Sequence, residues 1–460
     1  MTNHHNQNGT NNRESVVNSD VNSVDNIAAN MGDTQYDVVI VGASVAGTAA
    51  AVFFARSGLR VALIERNREM KAYKKACTHY LQPFGIRVLK RLGVVEQLEA
   101  AGAQPNGGRV WTKWGWFGNS APSKKGHGYN IRREVLDPIL RQNAAATPGV
   151  ELFLGTAVRD LIVENDRIVG VRVNAPGKKV VDMRAKLVVG ADGRYSRTAK
   201  LAGVTETVAP NNRFVYFGYY RNMPLKDGKA GQMWFQGESI GYAMPNDNGY
   251  TLLAAILPKT ELATFKQDIE GNFKRFFETL PNSPNLHTAE RNSKLLGMVD
   301  LPIVSRQTTM PGLALIGDAA VASDPLWGNG MSWALLAADW LTKLTKEALS
   351  SENTADLDAA LRLYAEKHHA SLADRLARDI DFAKVRPFNW IERLFYAASI
   401  HDLRYGSQTG PQNASLTNYR NWPSFKHIKG AAKILLQHKY NNLTQRVKPR
   451  IALGKSVFAD

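Results

Sequence analysis

Apolar residues in this chain fall into two alternating patterns: short continuous runs bounded by turn-forming residues, and stripes at helical spacing. Residues 36–41 (Tyr-Asp-Val-Val-Ile-Val) form a run of strand length, and small residues from Gly47 to Ser57 suit a closely packed helix. Gly58 closes that helix, and Leu59 to Glu65 supplies a second buried strand. This order predicts a βαβ unit and a parallel sheet. Residues 84–102 and 133–147 read as helices, the second with Val135, Leu136, Ile139 and Leu140 on one face. Alternation predicts strands at 150–175 and 180–190, and an aromatic-rich sheet from about 213 to 257. A helix follows at 260–280, a strand at Leu313–Ile316, a long helix at about 330–349, and more helix through 355–384. The pattern predicts an α/β fold: a discontinuous parallel-sheet domain (36–210 and 300–350, with a helical insert at 84–150) interleaved with a β-rich domain (211–299). C-terminal helices (351–385) and an extension (386–460) complete the chain.

Composition narrows the picture. The chain has 460 residues, 44% hydrophobic and 22% charged, the balance of a globular protein. One cysteine, Cys77, excludes an internal disulfide framework and a cysteine cluster for zinc or iron–sulfur, so no metal is expected. Residues 1–35, rich in Asn, Ser, Asp and Thr, read as a disordered leader with no signal-peptide core. The stretch from Tyr36 to Ala55 approaches membrane-spanning length but parses as strand–turn–helix, so no transmembrane segment and a cytoplasmic location are expected. Of the net charge of +17, residues 386–460 carry a local +9, from 12 Lys or Arg against 3 Asp or Glu. Such a tail suits an anionic or carrier-protein partner or a membrane surface, or else is a solvated face; no nucleic-acid partner is expected.

The chemistry begins at Gly42-Ala43-Ser44-Val45-Ala46-Gly47, which follows the first strand. It matches GxGxxG with Ser44 in place of the middle glycine. Gly42 permits the tight turn, Gly47 lets helix and strand pack closely, and the helix N-terminus faces a pyrophosphate. Glu65, eighteen residues after Gly47, ends the second strand where an acidic side chain reaches ribose hydroxyls; Arg66 follows it. The unit is therefore Rossmann-like. Two further motifs follow apolar runs: Gly190-Ala191-Asp192-Gly193, with Arg194 and Arg197 beyond it, and Gly317-Asp318-Ala319-Ala320, leading to Gly328-Asn329-Gly330.

Three such motifs in this order resemble the FAD-dependent monooxygenases typified by para-hydroxybenzoate hydroxylase (the group A flavoprotein monooxygenases), over roughly residues 36 to 350. The resemblance implies an FAD-binding domain in which Asp318 meets the ribityl chain and Gly330 and Met331 sit against the isoalloxazine. A helix dipole there stabilises negative charge on reduced flavin. It also places Arg133 near the cofactor, with Arg132 as the rival choice, puts the Val158 backbone at the adenine, and associates Asp192 with FAD and nicotinamide. Arg194 and Arg197 become candidates for the phosphates of NAD(P)H, since guanidinium forks suit phosphate geometry. The implied reaction uses NAD(P)H to reduce FAD, after which O2 adds at flavin C4a and the hydroperoxide hydroxylates an aromatic or other electron-rich small molecule. Tyr216, Tyr219, Trp234 and Tyr242 are candidates for the substrate wall, and no residue stands out as a catalytic acid or base.

The family's histidine after its GD motif is Val321 here, and its later asparagine is Ser332. No second strand–GxGxxG–helix unit is evident, which favours a transient electron donor. A flavin-dependent halogenase of the same fold is the alternative, with Lys75 in the region of the required lysine. The Trp-x-Trp-x-Ile-Pro signature is missing, its counterpart reading Ile240-Gly241-Tyr242-Ala243-Met244-Pro245. A flavin reductase is a third enzyme reading. A non-enzyme alternative is an FAD-binding scaffold that recruits a partner through a basic helix at 426–439, with Lys426, Lys429 and Lys433 opposite Ile428, Ala432, Leu435 and Leu436.

Overall fold

The first apolar run becomes the central strand of a parallel sheet, because both of its faces are covered. In this computed structural model, which describes residues 35–119, 127–177, 180–226, 228–351, 353–405 and 424–447, the parallel order is Leu313–Leu315, Val181–Gly190, Gln35–Val41, Val61–Glu65, Val150–Leu154. Val38 and Ile40 join a core with the helices Val45–Ala55 and Gly330–Ser350, while Val39 and Val41 join a second core with Val171 and Val173. Those two valines come from an antiparallel hairpin, Ala157–Glu164 with Arg167–Asn174, paired to Val181–Gly190. Apart from Gln35, the expected leader lies outside the described residues.

The second sheet runs in the order Arg213–Arg221, Thr251–Pro258, Ser239–Pro245, Gly231–Gln236, Gly108–Thr112, Gly115–Asn119. Its pairs are antiparallel except Gly231–Gln236 with Gly108–Thr112. The segment 84–150, expected as a helical insert, therefore also supplies two strands to this sheet, where Trp111 faces Trp116 across a tight turn. The expected helix 84–102 is two helices, Pro83–Leu92 and Val95–Ala100, because Gly93 takes a left-handed φ of 76° and caps the first.

Thr354–Ala383 packs along Gly330–Ser350. In the basic extension, Trp390–Ser399 and Phe425–Val447 pack on each other. Among the described residues no helix is long and apolar enough to cross a membrane.

Candidate active site

The glycine turn sets the site's geometry. Gly42 has φ +104°, and a Cβ there would lie 2.6 Å from the Ala191 carbonyl oxygen; a Cβ on Gly47 would lie 1.8 Å from the Gly42 carbonyl oxygen. Only glycine lets strand, helix and the Gly190–Gly193 loop meet this closely. A cleft of about 830 Å³ starts here and runs to the N-terminus of Gly330–Ser350. That volume lies within the range of ligand and cofactor sites, roughly 300–1,000 Å³. Val45 and Ala46 line it at a helix start, where backbone N–H groups lack intrahelical partners.

At one end stands Glu65, buried at the tip of its strand. Its Oε2 accepts from the Ala43 N–H at 3.0 Å, and its Oε1 accepts from the Asn67 N–H at 2.9 Å and side-chain amide at 2.7 Å. An ionised carboxylate offers about four acceptor sites, which leaves room for a ribose hydroxyl. Arg66 and Val158 border the same cleft.

Ser44, the departure from the glycine pattern, turns its hydroxyl aside to accept from Arg133 Nη2 at 2.6 Å. Arg133 in turn donates to both carboxylate oxygens of Asp137, at 2.6 and 2.9 Å. Burial works against the guanidinium charge, but Asp137 and Cys77 together outweigh it and Arg133 stays charged. Of the two arginines left open by the sequence, Arg133 lines the cleft; Arg132 turns away to Asp247, with Nε to Oδ2 at 2.9 Å.

At the other end Asp318 pairs with Lys74 at 2.9 Å. Burial pushes the Asp318 carboxyl up, yet Lys74, Arg194 and Arg133 together hold it below the usual carboxylate range. Gly330 and Met331 line the cleft where the 21-residue helix begins. Asn329, just before them, is fully buried, and neither its amide nitrogen nor its oxygen has a hydrogen-bond partner. A buried amide left open at a helix N-terminus suits a ligand with its own donors and acceptors. A carboxylate with spare acceptor capacity, a helix start with open N–H groups and this open amide, strung along one cleft, fit FAD.

The remaining sequence candidates are divided. Asp192 borders the cleft, but its Oδ2 accepts from the Thr198 N–H at 2.9 Å and hydroxyl at 3.0 Å, and its Oδ1 from the Ser196 hydroxyl. Arg194 donates to the Ser323 carbonyl at 2.9 Å and to the Pro302 carbonyl, which ties two cleft-lining loops together. Arg197 is exposed at the rim and donates to the Arg159 carbonyl at 2.8 Å. The four expected wall aromatics split because successive strand residues point to opposite faces. Tyr219 and Tyr242 share a face with Leu326 and Trp327, and Tyr242 donates to the Leu326 carbonyl. Tyr216 and Trp234 instead pack on the other face with Phe265, Phe273 and Phe277, and none of the four borders the cleft itself. Lys75 is exposed and outside the cleft, while Lys74 lies within it.

Sequence reasoning missed Lys74, Asp137, Arg141 and Asn329. A signal existed for two of them: Arg133, Asp137 and Arg141 recur every four residues, which places alternating charges on one face of a helix. Arg141 donates to the Ala43 carbonyl at 3.1 Å and buttresses the glycine turn. Beside them His79 is buried, with its pKa lowered to about 3 by burial and then by the Arg133 charge. Its Nδ1 accepts from the Arg133 backbone N–H at 3.0 Å, so Nε2 carries the proton and faces the Tyr219 hydroxyl.

Comparison with known proteins places this geometry. The chain is 26% identical over 325 residues to the digeranylgeranylglycerophospholipid reductase of Thermoplasma acidophilum, covering 69% of this chain and 80% of that protein. Among solved structures, the flavin-dependent brominase Bmp2 superposes with a TM-score of 0.69 at 18% identity, over 89% of this chain and 100% of that one. PqsL, a probable FAD-dependent monooxygenase from Pseudomonas aeruginosa, superposes with a TM-score of 0.62 at 20% identity, over 82% and 99%. These structural likenesses establish the fold. A family model described as the FAD binding domain matches residues 35–359, which span the glycine turn, Glu65, Arg133, Asp318 and the helix start at Gly330. The chain belongs to this FAD-binding-domain family and is an FAD-dependent oxidoreductase.

Proposed function

We propose that this flavoprotein is a monooxygenase that takes electrons from NAD(P)H and transfers one atom of O2 to an electron-rich, largely apolar small molecule, an aromatic one by preference. One observation carries the reading. Every carboxylate bordering the cleft is already committed to a partner: Glu65 to Asn67, Asp137 to Arg133, Asp192 to Thr198, Asp300 to Lys259, Asp318 to Lys74, Asp324 to Asn211. The lining beyond them includes the apolar Met298, Val299, Leu301, Pro325 and Met331. A reaction that needs an unpartnered carboxylate as acid or base finds none along the described lining, whereas one that needs a dry, positioned cofactor is well served.

Bound FAD supplies electron transfer and oxygen activation. The chain's own residues hold and orient: Glu65 takes the adenosine ribose, the helix start at Val45 and Ala46 takes the pyrophosphate, and Asp318 takes the ribityl hydroxyls. Asn329 and the helix N-terminus at Gly330 would hold the polar edge of the ring, and the apolar lining would exclude water.

Two other readings rest on specific observations. The reductase relative favours reduction of the substrate. The brominase likeness favours halogenation, against which stand the exposed Lys75 and the pairing of Lys74 with Asp318. Purified protein mixed with NADPH or NADH, candidate substrates and isotopically heavy O2, without added reductase, separates them. Monooxygenation gives nicotinamide oxidation and a product that gains one heavy oxygen atom. A product that gains two hydrogens and no oxygen makes the protein a reductase, a halogenated product makes it a halogenase, and no turnover at all leaves a cofactor-binding scaffold.

A further inference from the structure

The C-terminal helix Phe425–Val447 is absorbed by none of this chemistry, since none of its described side chains borders the cleft. Between Phe425 and Lys439 it carries four lysines and no Asp or Glu. Its packed side is formed by His427, Ile428, Ala431, Ile434 and Leu435. The sequence pattern set Leu436 with the apolar residues opposite the lysines; the structure turns it outward, 68% exposed, and Phe425 stands 80% exposed. At about 100° per residue, Lys426, Phe425, Lys429, Lys433, Leu436 and Lys439 fall within an arc of roughly 140°. The outward face is thus two bulky apolar side chains set among four cations. None of these lysines pairs with a carboxylate of a described residue.

We propose that this face docks the protein on an anionic lipid surface. Phe425 and Leu436 are eleven residues apart, about 16 Å along the axis, which suits a helix lying flat in the headgroup layer. The apolar side chains reach past the phosphates while the lysines stay level with them, and the attraction is complementary because no carboxylate interrupts the face. An acidic protein partner would need a groove to take two apolar side chains this far apart; a bilayer needs no preformed groove.

The test uses full-length holoprotein and sedimentation with phosphatidylcholine vesicles, with and without phosphatidylglycerol. Binding is expected only to the anionic vesicles, weakening as salt rises. Phe425→Ser/Leu436→Ser leaves the net charge unchanged and should lower the partition coefficient by about tenfold or more, as should Lys429→Glu/Lys433→Glu. The exposed lysines of the other domain provide the control: Lys229→Glu/Lys266→Glu should change binding by no more than about twofold. Unchanged flavin content in each variant establishes that the FAD-binding domain is intact. The proposal is overturned if the wild type ignores anionic vesicles, if the serine variant binds as tightly as wild type, or if the control pair loses as much as the helix pair. Binding to an acidic carrier domain but not to vesicles would likewise overturn it in favour of a protein partner.

Discussion

Glu65 receives three hydrogen bonds from its own chain and still has acceptor capacity facing the cleft. Glu65→Ala should weaken FAD binding by one charge-assisted contact, on the order of 1.5–3 kcal/mol, measured by titrating apoprotein with FAD. Affinity equal to wild type would remove the ribose contact from the site. Asp318→Ala should leave the purified protein with little of its yellow colour, because the variant removes both the expected ribityl acceptor and the partner of Lys74. Two buried histidines give the protein a pH dependence of known sign. Burial lowers His79 to about 3 and His368 to about 4, so both gain protons on unfolding below their ordinary value of 6.5. Their contribution is intact above about pH 6.5 and is lost as pH falls toward those values, at about 1.4 kcal/mol per unit for each group. Burial raises the Asp379 carboxyl, which opposes this in the same window, so the comparison is between proteins: the urea midpoint of His368→Gln should drop less between pH 7 and 5 than that of wild type. An equal drop in that variant would assign the loss to other groups.

The helix Arg133–Ala145 shows how one element serves several parts of the site. Its buried face holds Ser44 through Arg133, Lys74 through an Asp137 bond to the Lys74 N–H at 3.1 Å, and the Ala43 carbonyl through Arg141. Asp137→Ala would strand a buried guanidinium, at a cost of about 3–5 kcal/mol in unfolding free energy, with loss of FAD affinity alongside it. Chemical denaturation checks the first effect and flavin retention the second. The antiparallel sheet makes a parallel point. Trp234 is fully buried on the face away from the cleft and donates to the Pro281 carbonyl at 2.8 Å, so Trp234→Ala should cost about 3–5 kcal/mol of stability. Tyr219→Phe removes one hydroxyl on the other face and should leave stability within about 1.5 kcal/mol of wild type.

At the scale of the whole molecule, the cleft is assembled from segments far apart in sequence: the Lys74–Asp318 pair alone spans 244 residues. Such a site exists only when the fold is complete, so flavin retention reports folding of the entire domain. The same assembly separates the two arginines expected at NAD(P)H. Arg194 links the Pro302 and Ser323 loops through their carbonyls, whereas Arg197 stands exposed at the rim. Stopped-flow reduction should find Arg197→Ala slower with FAD retained, and Arg194→Ala impaired in both reduction and FAD retention. If both variants keep wild-type reduction rates, neither arginine meets the nicotinamide phosphates.

Sequence alone determined what local geometry and short spacing encode. The apolar run at 36–41, the glycines at 42 and 47 and the acid at 65 lie within one βαβ unit. Their expected roles follow from turn sterics and strand length, and the family resemblance carried by the ordered Asp192 and Asp318 motifs extended that reading to FAD. Tertiary structure decided the questions of direction. Arg133 rather than Arg132 enters the cleft because the carboxylate of Asp137, one helical turn on, draws it inward, while Asp247, 115 residues away, draws its neighbour off. Lys74 rather than Lys75 meets Asp318, and only half of the expected aromatics lie on the sheet face that packs with Leu326 and Trp327. In each case adjacent residues have the same chemistry, and what separates them is which way a side chain points once distant segments have packed.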